Sequence, residues 1–148
     1  DEAVSALDVS IQAKILNLLM DLQQKLNPAY LFISHDLSVV RLVSDTIVVL
    51  YLGKVMEIGP AAELTDNPLH PYTTALLSAV PDPYSRNRIE ILKGEIPGNV
   101  NLPSGCRFHT RCPKAFERCK SKIPALSEIS SGRKTACFLH HNKEEKQF

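Results

Sequence analysis

The sequence lacks any hydrophobic run approaching the ~18–20 residues that a membrane-spanning helix needs. Its longest apolar stretch, Thr46 to Leu52, is the length of a strand. It also lacks a basic region followed by an apolar stretch near Asp1-Glu2, so no secretory signal is read there. A chain that opens without Met is expected to come from something longer. Strong overall charge is absent too: the net +1 over 148 residues excludes a globally basic nucleic-acid binder, and with aromatics at 6% there is little to stack on bases. What is present, 44% hydrophobic and 22% charged, is the composition of a globular chain long enough to bury a core.

The near-neutral total hides a division. Residues 1–80 hold four Lys/Arg against nine Asp/Glu, whereas residues 81–148 hold thirteen against seven. All four cysteines and six of the ten prolines fall in the second part. Two domains are therefore expected, 1–80 and 81–148, with the seam at Val80-Pro81-Asp82-Pro83.

In the first part, Ile11, Ile15, Leu18, Leu22 and Leu26 recur at spacings of three and four, which predicts an amphipathic helix over 9–26. Asp8 suits its N-cap, and Asn27-Pro28 stops it because the residue before proline avoids the α region. Tyr30-Leu31-Phe32-Ile33-Ser34 reads as a strand buried on both faces, and Leu37 to Val43 as a short helix. Thr46–Tyr51 and Lys54–Ile58 read as strands joined through Leu52-Gly53 as a hairpin-like turn. Helix, strand, helix, strand implies a layered α/β domain with a largely parallel sheet, whose chemistry gathers at the carboxyl ends of strands.

Two polar clusters fall at such ends: Asp1-Glu2, before the first helix, and Ser34-His35-Asp36, after the strand at 30–33. Each alone reads as an ordinary polar loop. Their order, with Ser5-Ala6-Leu7-Asp8 between them, resembles the C-terminal half of an ABC-transporter ATP-binding subunit, over residues 1–59. The resemblance implies a P-loop NTPase fold cut at the end of its Walker B strand. It implies that Asp1 helps hold Mg²⁺, an ion that takes oxygen ligands, and that Glu2 orients and polarises the water attacking the γ-phosphate of ATP. It makes Ser5, Ala6, Leu7 and Asp8 the D-loop that contacts the opposite subunit of a dimer, and His35 the switch histidine that can donate to a γ-phosphate oxygen. Ala3-Val4 stand where many members have Pro-Thr, a variant also seen in peptide-importer subunits.

No G-x-x-x-x-G-K-[ST] loop occurs: the only Gly-Lys is Gly53-Lys54, followed by Val55. Nothing in this sequence is therefore expected to cradle the β- and γ-phosphates. A Leu-Ser-Gly-Gly-type signature is missing as well. In the family both precede the Walker B strand.

Further along, His70-Pro71-Tyr72-Thr73 leads into a predicted short helix, with Pro71 in its first turn and Leu76-Leu77 packing it. By itself His70 reads as a structural loop histidine between two prolines. The stretch through Val80-Pro81 resembles ATP-binding subunits of the oligopeptide, dipeptide and nickel importers. The resemblance implies ATP hydrolysis driving peptide uptake, on the cytoplasmic face of the cell membrane. The implied partners are a second ATPase subunit, two membrane permeases and, indirectly, a peptide-binding protein.

Cys106, Cys112, Cys119 and Cys137 are spaced C-x5-C-x6-C-x17-C. Disulfides do not suit a chain with no export signal. Zinc remains open, although the tight C-x2–4-C knuckles of structural zinc sites are missing. An iron–sulfur cluster takes four thiolates at less stereotyped spacing, and Cys112-Pro113 matches the Cys-Pro ending of ferredoxin runs. Arg107, Arg111, Lys114, Arg118 and Lys120 would offset the gathered negative charge. Gly94-Glu95-Ile96-Pro97, Pro103-Ser104-Gly105-Cys106 and Thr110-Arg111-Cys112-Pro113 resemble the C-terminal extension of the same importers. Some members carry a [4Fe–4S] cluster there, which implies these four cysteines as its ligands. His109, His140 and His141 are the substitute ligands under a zinc reading. A different class also remains: a stand-alone iron–sulfur or zinc interaction module with no ATPase activity.

Overall fold

A computed structural model describes residues 2, 4, 6–80, 92, 94, 97–98 and 102–140. The chain divides into two compact units, Asp1–Asp45 and Thr46–Phe148.

The first unit is built on α1 (Val9–Leu26) and α2 (Leu37–Val43). Asp8 accepts from the Ser10 and Ile11 amides and so caps α1, while Asn27, in the left-handed conformation at φ 50°, ends it. Asp36 caps α2 in the same way through the amides of Ser38 and Val39. The small core is Val4, Leu16 and Val39, with Ile15, Phe32 and Val43 around it. The helix forms as the periodicity predicts, but the buried stripe runs through Leu16, and Ile11, Leu18 and Leu26 are exposed. Apolar residues almost encircle α1, so spacing alone did not select the inner face.

The expected strand at 30–33 is not a strand among the described residues. Among the described residues the segment is tied to the start of the chain by Glu2 N–H donating to the Ile33 carbonyl at 2.8 Å, and Leu31 is 88% exposed. A strand exists by ladder pairing, and composition cannot supply the partner.

The second unit carries one sheet, formed by β1 (Thr46–Tyr51), β2 (Lys54–Pro60), β3 (Ser127–Ser130) and β4 (Arg133–Thr135) in the order β1-β2-β4-β3. Every pairing is antiparallel, which corrects the expected parallel sheet. The reason is the connection: two residues, Leu52 and Gly53, join β1 to β2, and a parallel pair needs a long crossover. Both have positive φ, 47° and 71°, the pattern of a type I′ hairpin turn. Leucine sits there against its preference, and the Arg107 guanidinium donates to the Leu52 carbonyl, pinning the turn to the cysteine segment.

The register of β1 on β2 shifts between Val49, opposite Glu57, and Leu50, opposite Val55. Met56 is the extra residue of this bulge, and both Met56 and Glu57 end up buried. Met56 enters a core with Tyr51, Phe108, Phe138, Cys106 and Cys119. The described residues of this unit also form three short helices: α3 (Ala61–Asp66), α4 (Pro71–Ser78) and α5 (Glu117–Ser121). On α4 the fully buried positions are Pro71, Thr73 and Ala75.

Gly105 holds the cysteine segment against the end of α5. Its φ is 65°, and a Cβ there would press on the Cys119 carbonyl oxygen and stand 2.7 Å from the Lys120 carbonyl carbon. The neighbouring Cys106 N–H donates to that same Cys119 carbonyl at 2.8 Å. Gly105→Ala is therefore expected to destabilise the second unit by about 2 kcal/mol or more, from left-handed strain plus backbone overlap. Chemical denaturation monitored by tyrosine fluorescence checks this, with Gly132→Ala, where nothing lies within 4 Å, as the strain-only comparison.

Candidate functional site

Two groups of chemically capable side chains emerge, one in each unit. In the first unit, Glu2 follows Asp1 and His35 follows the extended segment at 30–33. The backbone bond from Glu2 to Ile33 brings the two ends together, and His35 Nδ1–H donates to Glu2 Oε1 at 3.0 Å across 33 residues of chain. The side chains of His35 and Glu2 are 75% and 54% exposed, so the pair faces solvent. Glu2 has positive φ, 44°, and the turn is completed by Leu7 N–H donating to the Val4 carbonyl. Two residues predicted for this site, Asp1 and Ser5, lie outside the described residues. Ala6 and Leu7 are exposed in the loop, while the Asp8 carboxylate is committed to capping α1. The structure thus brings Glu2 and His35 together from separate sequence motifs.

The second group belongs to the second unit. Cys106, Cys112, Cys119 and Cys137 are all free thiols, and all four line one small cavity with His70, Phe108, His109, Lys114 and Phe138. Burial pushes the thiols of Cys106 and Cys112 up, and that of Cys137 to about 11; mutual repulsion among the four sulfurs adds to this. Backbone amides pull the other way. Phe108 and His109 N–H donate to Cys106 Sγ, Lys114 N–H to Cys112 Sγ and Leu139 N–H to Cys137 Sγ. Amides aimed at sulfur favour the thiolate form. Among the described residues, however, no group of three or more His, Cys, Asp or Glu is placed to hold a metal ion. A preformed single-ion zinc site is therefore not present among them. His109 Nδ1–H donates to the Cys106 carbonyl and His140 Nε2–H to the Leu69 carbonyl; His141 lies outside the described residues.

Sequence reading missed the centre of this unit. Glu57 is completely buried, and its carboxylate accepts from the amides of Leu69 and His70, each at 2.9 Å, and from Arg133 at 3.1 Å. Arg133 also donates to the Asn67 carbonyl. One carboxylate on β2 and one guanidinium on β4 thus hold the loop that leads into His70-Pro71-Tyr72-Thr73. The available signal was a single Glu inside the apolar run Lys54-Val55-Met56-Glu57-Ile58. Its partner stands 76 residues away, beyond local pattern.

His70 caps α4, with its Nδ1 accepting from the Tyr72 amide at 3.0 Å, as a loop histidine with a structural task. Burial, helped by His140, lowers its pKa from 6.5 to about 4. Between those values the unfolded chain binds the extra proton, so stability rises with pH across that window. This contribution is complete above about pH 6.5 and fades as pH falls toward 4, amounting to about 3 kcal/mol. Denaturation midpoints measured from pH 7 to 4 should show the decline, and His70→Asn, which keeps a capping acceptor, should flatten it.

With this geometry established, the class is given by sequence kinship. Residues 56–119 match the family model "Oligopeptide/dipeptide transporter, C-terminal region". The segment covers β2 from Met56 onward, the Glu57-held loop, α4 and three of the four cysteines. Among individual proteins, the chain is 55% identical over 95% of its length to the oligopeptide transport ATP-binding protein AppF of Bacillus subtilis. It is 54% identical over 97% to the di/tripeptide transport ATP-binding protein DppF of Pseudomonas aeruginosa, and 55% identical over 93% to a putative peptide import ATP-binding protein of Brucella ovis. The chain corresponds to the C-terminal portion of such peptide-importer ABC subunits. It spans 44% of the length of each of these relatives. No described helix is long and apolar enough to cross a membrane.

Proposed function

We propose that this chain supplies the hydrolytic end of an ATP-binding subunit that powers peptide import. The observation that carries the reading is the Glu2–His35 pair, two residues of separate motifs joined at 3.0 Å on an exposed edge. On this reading residues 1–80 are the end of the ATPase domain and 81–148 its extension. The Glu2 carboxylate orients a water for in-line attack: the water oxygen bonds to the γ-phosphorus, the bridging oxygen–phosphorus bond breaks, and ADP leaves with the electron pair. The water proton passes toward phosphate, with Glu2 polarising the O–H bond.

His35 then has a defined protonation requirement. Its Nδ1–H is given to Glu2, so a neutral ring presents a lone pair at Nε2, and only the imidazolium can also donate to a γ-phosphate oxygen. Asp1 would hold Mg²⁺, which neutralises phosphate charge when bound. Ser5, Ala6 and Leu7 would contact the second ATPase subunit, Asp8 acting there by shaping the loop through its cap. Two permeases would sit above the pair on the inner face of the membrane, with a peptide-binding protein delivering cargo.

A second reading concerns the extension, and four cysteines converging on one cavity support it. We infer that Cys106, Cys112, Cys119 and Cys137 hold an iron–sulfur cluster. Amides donating to three of the sulfurs fit a thiolate centre, and a multi-iron cluster asks less of the thiols than a single ion, which requires them to meet at one point. A cluster would supply cross-linking of a segment poor in large apolar side chains.

The purified 148-residue chain is expected to show no ATP turnover, because it contains no phosphate-cradling loop. A phosphate-release assay tests this; turnover that disappears with Glu2→Gln would overturn the division of labour.

A further inference from the structure

We propose that Cys106 and Cys119 form a reversible disulfide when the chain meets a peroxide, which makes this pair a redox modification site in the second unit. The proposal concerns the four free thiols as they stand and does not rest on the iron–sulfur reading. The backbone carries it. Cys106 N–H donates to the Cys119 carbonyl oxygen at 2.8 Å. An N–Cα bond of about 1.46 Å lies on one side of that contact and a Cα-to-oxygen span of about 2.4 Å on the other. Even laid end to end, these put the two Cα atoms at most about 6.7 Å apart. A disulfide joins Cα atoms separated by roughly 4.4–6.8 Å. Among the described residues no other backbone hydrogen bond joins two of the four cysteines.

The side chains converge as well. Cys106 and Cys119 are buried members of one apolar cluster, both line one cavity, and the charge of the Cys119 sulfur is felt at Cys106. Gly105 fixes the approach, because at φ 65° and without a Cβ it lies directly on the Cys119 and Lys120 carbonyls. Ser104 Oγ adds a bond to the Lys120 carbonyl at 3.0 Å. The pair is thus held by backbone before any sulfur bond forms. With hydrogen peroxide the chemistry takes two steps. One sulfur attacks a peroxide oxygen and the O–O bond breaks, leaving a sulfenic acid and one water. The second sulfur then attacks the first, the S–O bond breaks, the S–S bond forms and a second water leaves. The two thiols lose two electrons and two protons, and the peroxide takes up both. Chain statistics favour other pairs: Cys106–Cys112 and Cys112–Cys119 close shorter loops, and short loops close at lower entropic cost. A preference for Cys106–Cys119 therefore reports the fold.

The test uses the full chain, purified with a strong metal chelator and a thiol reductant, freed of both and treated with a single equivalent of hydrogen peroxide. Free thiols are counted, and cross-linked peptides are mapped by mass spectrometry after alkylation. Expected are a fall from four free thiols to two and recovery of all four with dithiothreitol. Cys106–Cys119 should exceed every other pair by at least about tenfold in the native chain, and the shorter loops should dominate in guanidinium. The Cys112→Ser, Cys137→Ser double variant should give the same cross-link, and the wild-type map decides the matter if that variant does not fold. The oxidised chain should also unfold at a higher denaturant midpoint, because the bond constrains the unfolded state. Four thiols surviving peroxide, another pair dominating in the native chain, or Cys106–Cys119 dominating in guanidinium as well would overturn the proposal. A lowered midpoint would overturn it too, since the sulfurs would then have been forced together.

Discussion

Glu2→Gln, placed in the full-length subunit that carries this portion, is expected to lower ATP hydrolysis by at least about a hundredfold while leaving ATP affinity near wild type. The asymmetry follows from what the carboxylate touches. Glu2 is joined to His35 and reachable by solvent water, and the resemblance assigns the phosphate grip to a loop this chain lacks. A carboxamide keeps an oxygen to accept from His35 Nδ1–H, so the loop geometry survives and only the charge that polarises water is lost. His35→Ala should also slow turnover, with a smaller effect on binding than on rate. Equilibrium binding of a fluorescent ATP analogue beside steady-state phosphate release separates the two terms. Parallel losses in affinity and rate would move Glu2 into phosphate binding, and wild-type turnover would remove it from the mechanism.

The second large effect is expected in the extension. Anaerobically purified chain should be brown and contain about one cluster's worth of iron and sulfide. Replacing any of Cys106, Cys112, Cys119 or Cys137 by Ser should remove most of the iron and open residues 102–140 to protease, while the Asp1–Asp45 unit stays folded. The physical case is that three of the four thiols sit in the same apolar cluster as Tyr51, Met56, Phe108 and Phe138. Losing the centre therefore loosens the core of the unit as well as a loop. Burial raises the thiols of Cys106, Cys112 and Cys137, and loading must displace their protons, so iron uptake should rise with pH. Stoichiometric zinc without sulfide, or an ordered extension with no metal, would contradict the iron–sulfur assignment.

Local chemistry was legible in the sequence, and distant pairing was not. Asp8 announces a helix start because a capping carboxylate needs only amides two and three residues ahead. The β-forming run Thr46–Tyr51 marks a strand, while its apolar continuity hides which face is inward; the structure buries Ile47, Val49 and Tyr51. Tyr30–Ile33 misled because β-forming composition says nothing about a partner for the ladder. The Met56 bulge, which turns Glu57 inward, leaves no trace in periodicity, since a bulge is defined by two strands at once. The Glu57–Arg133 pair was illegible for the same reason. Glu2 and His35 were found through motif order, and their contact became visible only when both ends of the loop were placed.

Peptide uptake decides the central claim. The complete subunit, assembled with its permeases in sealed vesicles, should accumulate a labelled oligopeptide when ATP is supplied on the side carrying this chain, and Glu2→Gln should abolish that accumulation. Uptake that continues at the wild-type rate with Glu2→Gln, or ATP hydrolysis that proceeds with no peptide moved, would contradict the account.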